Sequence, residues 1–313
     1  MSILAGIVEI GQAHFGEHVS NDALAAMGVD TSDEWIRSRS GIERRWFIGK
    51  DDPRKTSDVG AEALQDALAR AGWAADTLDA IVCATSTPDF GSYPATACVI
   101  QEKVKARNAF GVDATAACTG FVVGLNIASN YIVAGQCKRV ALVCAELNSR
   151  ILNFQDRNTC VLFGDGAAAV LLEAREDGSG VLGSDLKSDG RLVHILDAPP
   201  VRMDGKAVYR CAVTEMPAIS RRLLGKHGLA VADVDMLIPH QANIRIIEST
   251  GQSLGIPPEK VMVNVQDYGN TSSATIPIAL RQALDEGRIH KGDLILSVAV
   301  GAGMIWGANL IRW

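Results

Sequence analysis

Apolar and polar positions along the chain follow two alternating rhythms. From Ser57 to Ala71 the apolar residues Val59, Leu64, Ala67 and Leu68 keep helical spacing, and Gly72 ends the run. The next apolar stretch, Ala80-Ile81-Val82-Cys83-Ala84, is short and continuous, which predicts a buried strand. The same order returns later, with a helical pattern from Ile219 to His227, a stop at Gly228 and the strand-like Met236-Leu237-Ile238. Gly72 to Asp79 and Gly228 to Asp235 are both seven residues. A helix near 97–107 precedes Gly111-Val112-Asp113-Ala114, as a helix near 244–254 precedes a predicted strand Val261-Met262-Val263-Asn264. A third helix–strand pair runs from Phe121 to Val143 and again from Thr275 to Val298. Each series closes in glycine-flanked β-rich sequence, Ala167 to Leu172 and Trp306 to Ile311. Strands alternating with helices predict an α/β protein whose sheets lie between helices. The repeat divides it into two similar halves, 1–175 and 176–313, with no proline- or serine-rich linker to make them independent.

Composition narrows this picture. A chain of 313 residues with 48% hydrophobic content can bury a large core. Its formal net charge of −6 argues against a nucleic-acid partner. Two uncharged runs, Ala114 to Cys137 and Leu294 to Ile311, are long enough to cross a bilayer, but Asn126, Asn309 and internal glycines mark both as core elements. No membrane span is expected. Glu9 interrupts the first apolar run, and no basic segment precedes it, so the N-terminus does not read as a signal peptide. The seven cysteines include no Cys-x-x-Cys pair. They predict neither a metal site nor a disulfide framework, but reduced thiols of a cytoplasmic protein, six of them core residues.

Three polar residues follow predicted strands, where open α/β sheets place their ligands. They are Cys118, His240 and Asn270. The repeat puts Cys118 and Asn270 at matching positions, so a pseudo-twofold axis brings them together between the halves, with His240 beside them. Cys118 precedes a long apolar helix, and the positive helix end predicts a lowered thiol pKa and a nucleophile. Histidine and asparagine side chains donate to a developing oxyanion. Gly301 lets a backbone N–H approach the same point. Together these residue types point to acyl transfer through a thioester. Each also has a plainer reading: a small buried hydrophobe for Cys118, a satisfied core group for His240, a turn for Asn270, close strand packing for Gly301.

The motifs Asp30-Thr31-Ser32-Asp33-Glu34-Trp35-Ile36, Ala116-Ala117-Cys118-Thr119-Gly120-Phe121, Phe163-Gly164-Asp165-Gly166-Ala167, Pro239-His240-Gln241-Ala242-Asn243, Tyr268-Gly269-Asn270-Thr271-Ser272 and Trp306-Gly307 span nearly the whole chain. In that order the sequence resembles β-ketoacyl-acyl-carrier-protein synthase III, a condensing-enzyme family. The resemblance implies a thiolase-like fold of two duplicated halves in a five-layered α-β-α-β-α arrangement. It implies decarboxylative condensation of a starter acyl-CoA, acetyl-CoA by preference, with malonyl-acyl carrier protein in fatty-acid synthesis. Cys118 is then the acyl acceptor, His240 and Asn270 hold the malonyl thioester oxygen, and the N–H groups of Cys118 and Gly301 form the oxyanion hole. Trp35 and Arg157 sandwich the adenine of coenzyme A, Thr31 and Arg39 contact the nucleotide, and Gly205, Ala242 and Asn243 line the pantetheine tunnel. Tyr93 reaches across a homodimer to close the acyl pocket beside Phe163, and Arg210 and Arg245 meet the acidic carrier protein. No cofactor is implied beyond the coenzyme A thioester itself. The chain departs from the family pattern at Ala302, where glycine is frequent, at Tyr93, where phenylalanine is, and in a shortened stretch from Gly190 to Met203. Two alternatives stay open at this point: a synthase III homologue of secondary metabolism using another acyl unit, and a non-catalytic acyl-CoA-binding subunit.

Overall fold

The computed structural model describes residues 3–313; residues 1 and 2, which open the first predicted half, lie outside the described residues. Two sheets form the body. The first has five strands in the order Leu4–Gln12, Gly166–Arg175, Arg139–Glu146, Ala80–Ala84, Phe110–Ala114. The second has four, in the order Met236–Pro239, Leu294–Gly301, Ile305–Arg312, Gly180–Ser188.

Side chains alternate across each strand, and the alternation assigns the layers. Ala80, Val82 and Ala84 face a central cluster, whereas Ile81 and Cys83 face outward onto helices Thr56–Ala71 and Thr96–Val104. In the second sheet Ile295 and Ala299 face the centre, and Leu294, Leu296 and Val298 face helices Gly205–Lys226 and Ile244–Leu254. The central layer between the sheets is filled by helices Gly120–Val133 and Thr275–Asp285. Apolar residues on both faces of a sheet explain why these strands read as continuous hydrophobic runs. The result is the five-layered α-β-α-β-α arrangement.

The duplication extends to single hydrogen bonds. Asp79 accepts from the N–H groups of Lys138 and Arg139 at 2.7 and 2.9 Å, tying the start of one strand to its parallel neighbour. Asp235 does the same in the second half, accepting from the Leu294 N–H at 2.9 Å.

One predicted strand fails. Val261–Asn264 makes a single bridge, Val261 to Leu237, at the position of the missing fifth strand. The Met262 N–H reaches Leu237 O at 2.9 Å, but the next inward donor, the Asn264 N–H, is taken by the Gln241 side chain at 2.9 Å, so the ladder stops. The cysteines also need correction: Cys98 is exposed and Cys211 half-buried, leaving Cys83, Cys137, Cys144 and Cys160 in the core beside the buried Cys118. Among the described residues no helix is long and apolar enough to cross a membrane. Ala114–Cys137 is a strand end, a turn and a buried helix, and Leu294–Ile311 is a hairpin.

Candidate active site

Two short turns meet between the halves and carry the site. Ala117–Thr119 is a 3₁₀ turn that runs directly into the buried helix Gly120–Val133, and Ala117 sits at φ 45°. Ser272–Ala274 is a 3₁₀ turn that runs directly into helix Thr275–Asp285, and Ser272 sits at φ 53°. A left-handed conformation in a non-glycine residue is costly and holds only where the surroundings enforce it. The turns pack back to back, such that a Cβ on Gly120 would lie 2.7 Å from the Ser273 Cβ. This pairing corrects the expected symmetry. The residue equivalent to Cys118 is Ser273, not Asn270, which lies three positions earlier.

Asn270 nevertheless reaches the cysteine, because a different connection places it. Its N–H donates to Leu162 O at 2.8 Å, and its carbonyl accepts from the Gly164 N–H at 3.0 Å, so Phe163 and Asn270 form an isolated bridge between the halves. The side-chain Oδ1 accepts from the Ser272 N–H at 2.8 Å. That bond fixes the amide and leaves Nδ2 directed at Cys118 Sγ, 3.8 Å away. His240 continues the strand Met236–Pro239, its N–H donating to Val298 O at 2.8 Å. Its Nδ1 lies 2.7 Å from Thr275 Oγ1. All three residues are buried.

Burial dominates the electrostatics. It pushes the Cys118 thiol up to about 11, even though hydrogen bonds from Ser272 and Asn270 pull the other way. The helix-end effect expected from sequence is outweighed, and the resting group at neutral pH is the thiol. Burial also pushes His240 down to about 3, so its imidazole stays neutral. Behind the turn, Glu146 is fully buried, accepting from Ser273 Oγ at 2.7 Å and from the Ser86 N–H at 2.9 Å. Burial raises its carboxyl pKa.

A cavity of about 480 Å³ opens from Cys118, His240 and Asn270 to the surface. Trp35 and Arg39 line it, as do Gly205, Ala242, Asn243 and Phe163, and Gly301 lies on its floor. A Cβ on Gly301 would meet Ala116 O and Thr119 N at 2.9 Å, so only glycine lets this strand approach the cysteine turn. The Arg39 and Arg157 guanidinium carbons lie 4.5 and 4.9 Å from the Trp35 ring centroid. Arg157 also donates to the Asp30 carbonyl at 2.7 Å. A base held between Trp35 and Arg157 needs roughly 7 Å, two contact distances. The expected sandwich therefore requires Arg157 to swing out from its direct stack. Thr31 lies outside the cavity lining, at the turn before the Trp35 helix, with Oγ1 buried and lacking a partner among the described residues. Beyond Cys118 a second, smaller cavity of about 60 Å³ is walled by Phe163, Ile151, Leu196 and Val201. Tyr93 is not part of it; the side chain is 85% exposed. Arg210 and Arg245 are exposed beside the tunnel residues Tyr209 and Asn243, with Arg245 donating to Ser38 O at 2.6 Å. Thr275 and Glu146 carry no functional signal in the sequence, and Ser272 enters there only as the last residue of the Tyr268–Ser272 motif. A hydroxyl or carboxylate in an apolar segment carries no signal until its partner is known.

Family models match much of the chain. One described as 3-oxoacyl-[acyl-carrier-protein (ACP)] synthase III matches residues 112–190, and its C-terminal counterpart matches residues 224–313. A β-ketoacyl-[acyl-carrier-protein] synthase III of Ruegeria pomeroyi is 45% identical, covering 97% of this chain and 98% of that protein. The crystal structure of 3-oxoacyl-[acyl-carrier-protein] synthase III from Aquifex aeolicus superposes with a TM-score of 0.95 at 41% identity, over 99% of this chain and 100% of that one. The enzyme of the same name from Pseudomonas aeruginosa gives 0.94 at 39% identity, over 99% and 98%.

Proposed function

Because this chain belongs to the β-ketoacyl-[acyl-carrier-protein] synthase III family, we propose that it joins a starter acyl-CoA to malonyl-acyl carrier protein through a thioester on Cys118. It is an acyltransferase of the condensing type that starts fatty-acid synthesis. The observation that carries the residue assignment is the convergence of Cys118, Asn270 and His240 at the closed end of one tunnel.

In the first half-reaction Cys118 Sγ attacks the acyl carbon. The bond from that carbon to the coenzyme A sulfur breaks, and the thiol proton ends on that sulfur. The N–H groups of Cys118 and Gly301 take up the charge on the carbonyl oxygen. The small cavity beyond Cys118 suits a short starter such as acetyl. In the second half-reaction malonyl thioester loses CO2, and the electron pair becomes an enolate held by His240 and Asn270. The enolate carbon attacks the acyl carbon on Cys118 and expels the thiolate, which takes one proton from solvent to restore the thiol. Trp35, Arg39, Thr31 and a displaced Arg157 hold the nucleotide, and Gly205, Ala242 and Asn243 flank the pantetheine arm. Arg210 and Arg245 supply the positive charge that an acidic carrier protein needs to meet a chain of net charge −6. No further cofactor takes part, and the reaction belongs to the cytoplasm.

The roles separate experimentally. Asn270→Ala is expected to lose about 10²-fold or more in malonyl decarboxylation and much less in acylation of Cys118 by acetyl-CoA. Equal loss in both half-reactions would contradict the assignment.

A further inference from the structure

The Thr275 hydroxyl lies where it decides which ring nitrogen of His240 carries the proton. Nδ1 of His240 is 2.7 Å from Thr275 Oγ1, which leaves Nε2 as the nitrogen available to the tunnel that His240 lines. Both residues are almost fully buried, so water does not compete for the contact. A hydroxyl has one proton and two lone pairs. Oγ1 also lies 3.1 Å from Ser272 O, an acceptor only. Two arrangements follow. If the hydroxyl donates to Ser272 O, it accepts from Nδ1–H, and Nε2 is a bare acceptor that repels an enolate oxygen. If it donates to Nδ1, Nε2 carries the proton and becomes a donor to that oxygen. The contact to Nδ1 is the shorter of the two, and only this arrangement provides a donor where the proposed condensation needs one.

We propose that Thr275 is a positioning residue that fixes His240 as the Nε2–H tautomer by donating its hydroxyl proton to Nδ1. The inference rests on the condensation reading given above. Its place in the fold explains the arrangement. Thr275 is the first residue of the central helix Thr275–Asp285, set by the strained Ser272 turn, so the same turn that orients Asn270 through the Ser272 N–H also orients His240 through Thr275. One turn thereby aims both donors.

Nitrogen-15 NMR of the histidine-labelled wild-type protein tests the tautomer without any variant at the site. A protonated Nε2 with an unprotonated Nδ1 at His240 is expected, and the reverse tautomer overturns the proposal. Half-reaction kinetics provide the second test. Thr275→Val, which keeps the shape and removes the hydroxyl, is expected to slow malonyl decarboxylation by about 10- to 100-fold, the scale of a misaimed oxyanion donor, while acylation of Cys118 falls much less. Thr275→Ser, which restores the hydroxyl, is expected to recover most of that loss. Decarboxylation by Thr275→Val at the wild-type rate overturns the proposal, as does failure of a folded Thr275→Ser to recover. If the wild type itself fails to decarboxylate malonyl-acyl carrier protein, the condensation reading fails, whereas the NMR result still decides the tautomer.

Discussion

Cys118 combines two properties that pull against each other. It follows Ala117, held at φ 45° in a turn that its surroundings enforce, next to the start of a buried helix, yet burial keeps its thiol protonated with a pKa of about 11. A raised pKa means that thiolate accumulates only as pH climbs toward that value. Alkylation of Cys118 by iodoacetamide, followed on its own peptide, is therefore expected to rise about tenfold per pH unit between about pH 7 and about pH 9. A plateau above neutrality would contradict the burial argument. His240 shows the opposite sign, held neutral down to about 3, so it contributes no titration near neutral pH. The three residue types that converge at the tunnel end could be read from the sequence because each follows an apolar strand-like run. Their supports could not: Ser272 acts through a backbone N–H, and Thr275 through a hydroxyl that resembles any helix-start threonine.

Among the elements, the duplicated helix–strand order could be read directly from periodicity, because both faces of each central strand are buried and write continuous apolar runs. The repeated distance from glycine to aspartate proved to mark a shared device. Asp79 and Asp235 each clamp a strand start to its parallel neighbour. Asp79→Ala removes two such bonds and is expected to cost about 1–3 kcal/mol in denaturant unfolding. An unchanged midpoint would show that the clamp is not a stabilising contact. The apolar pattern of segment 261–264 suits a strand, but Gln241 captures the N–H of Asn264 that would extend the ladder. The pairing of Cys118 with Asn270 was right in outcome and wrong in cause. The paired turns of the folded chain align Cys118 with Ser273, and the Phe163–Asn270 bridge does the rest.

At the scale of the molecule, the strand Phe110–Ala114 ends the five-stranded sheet with one edge unpaired among the described residues, and Phe110 is 46% exposed there. An open apolar sheet edge is a pairing surface. Together with the 85% exposed Tyr93 it is consistent with the homodimer that the resemblance implies, in which Tyr93 would reach the partner's acyl pocket. Light scattering is expected to give twice the 33.2 kDa chain mass. Phe110→Glu should weaken the dimer, and a monomeric wild type would remove Tyr93 from the pocket altogether. The central claim is that condensation passes through an acyl group on Cys118, and peptide mass spectrometry tests it most directly. After incubation with acetyl-CoA, an acetyl adduct is expected on Cys118 and not on the exposed Cys98. Addition of malonyl-acyl carrier protein should discharge it as acetoacetyl-acyl carrier protein. Product formation by Cys118→Ser at the wild-type rate, or an adduct that malonyl-acyl carrier protein leaves in place, would contradict the account.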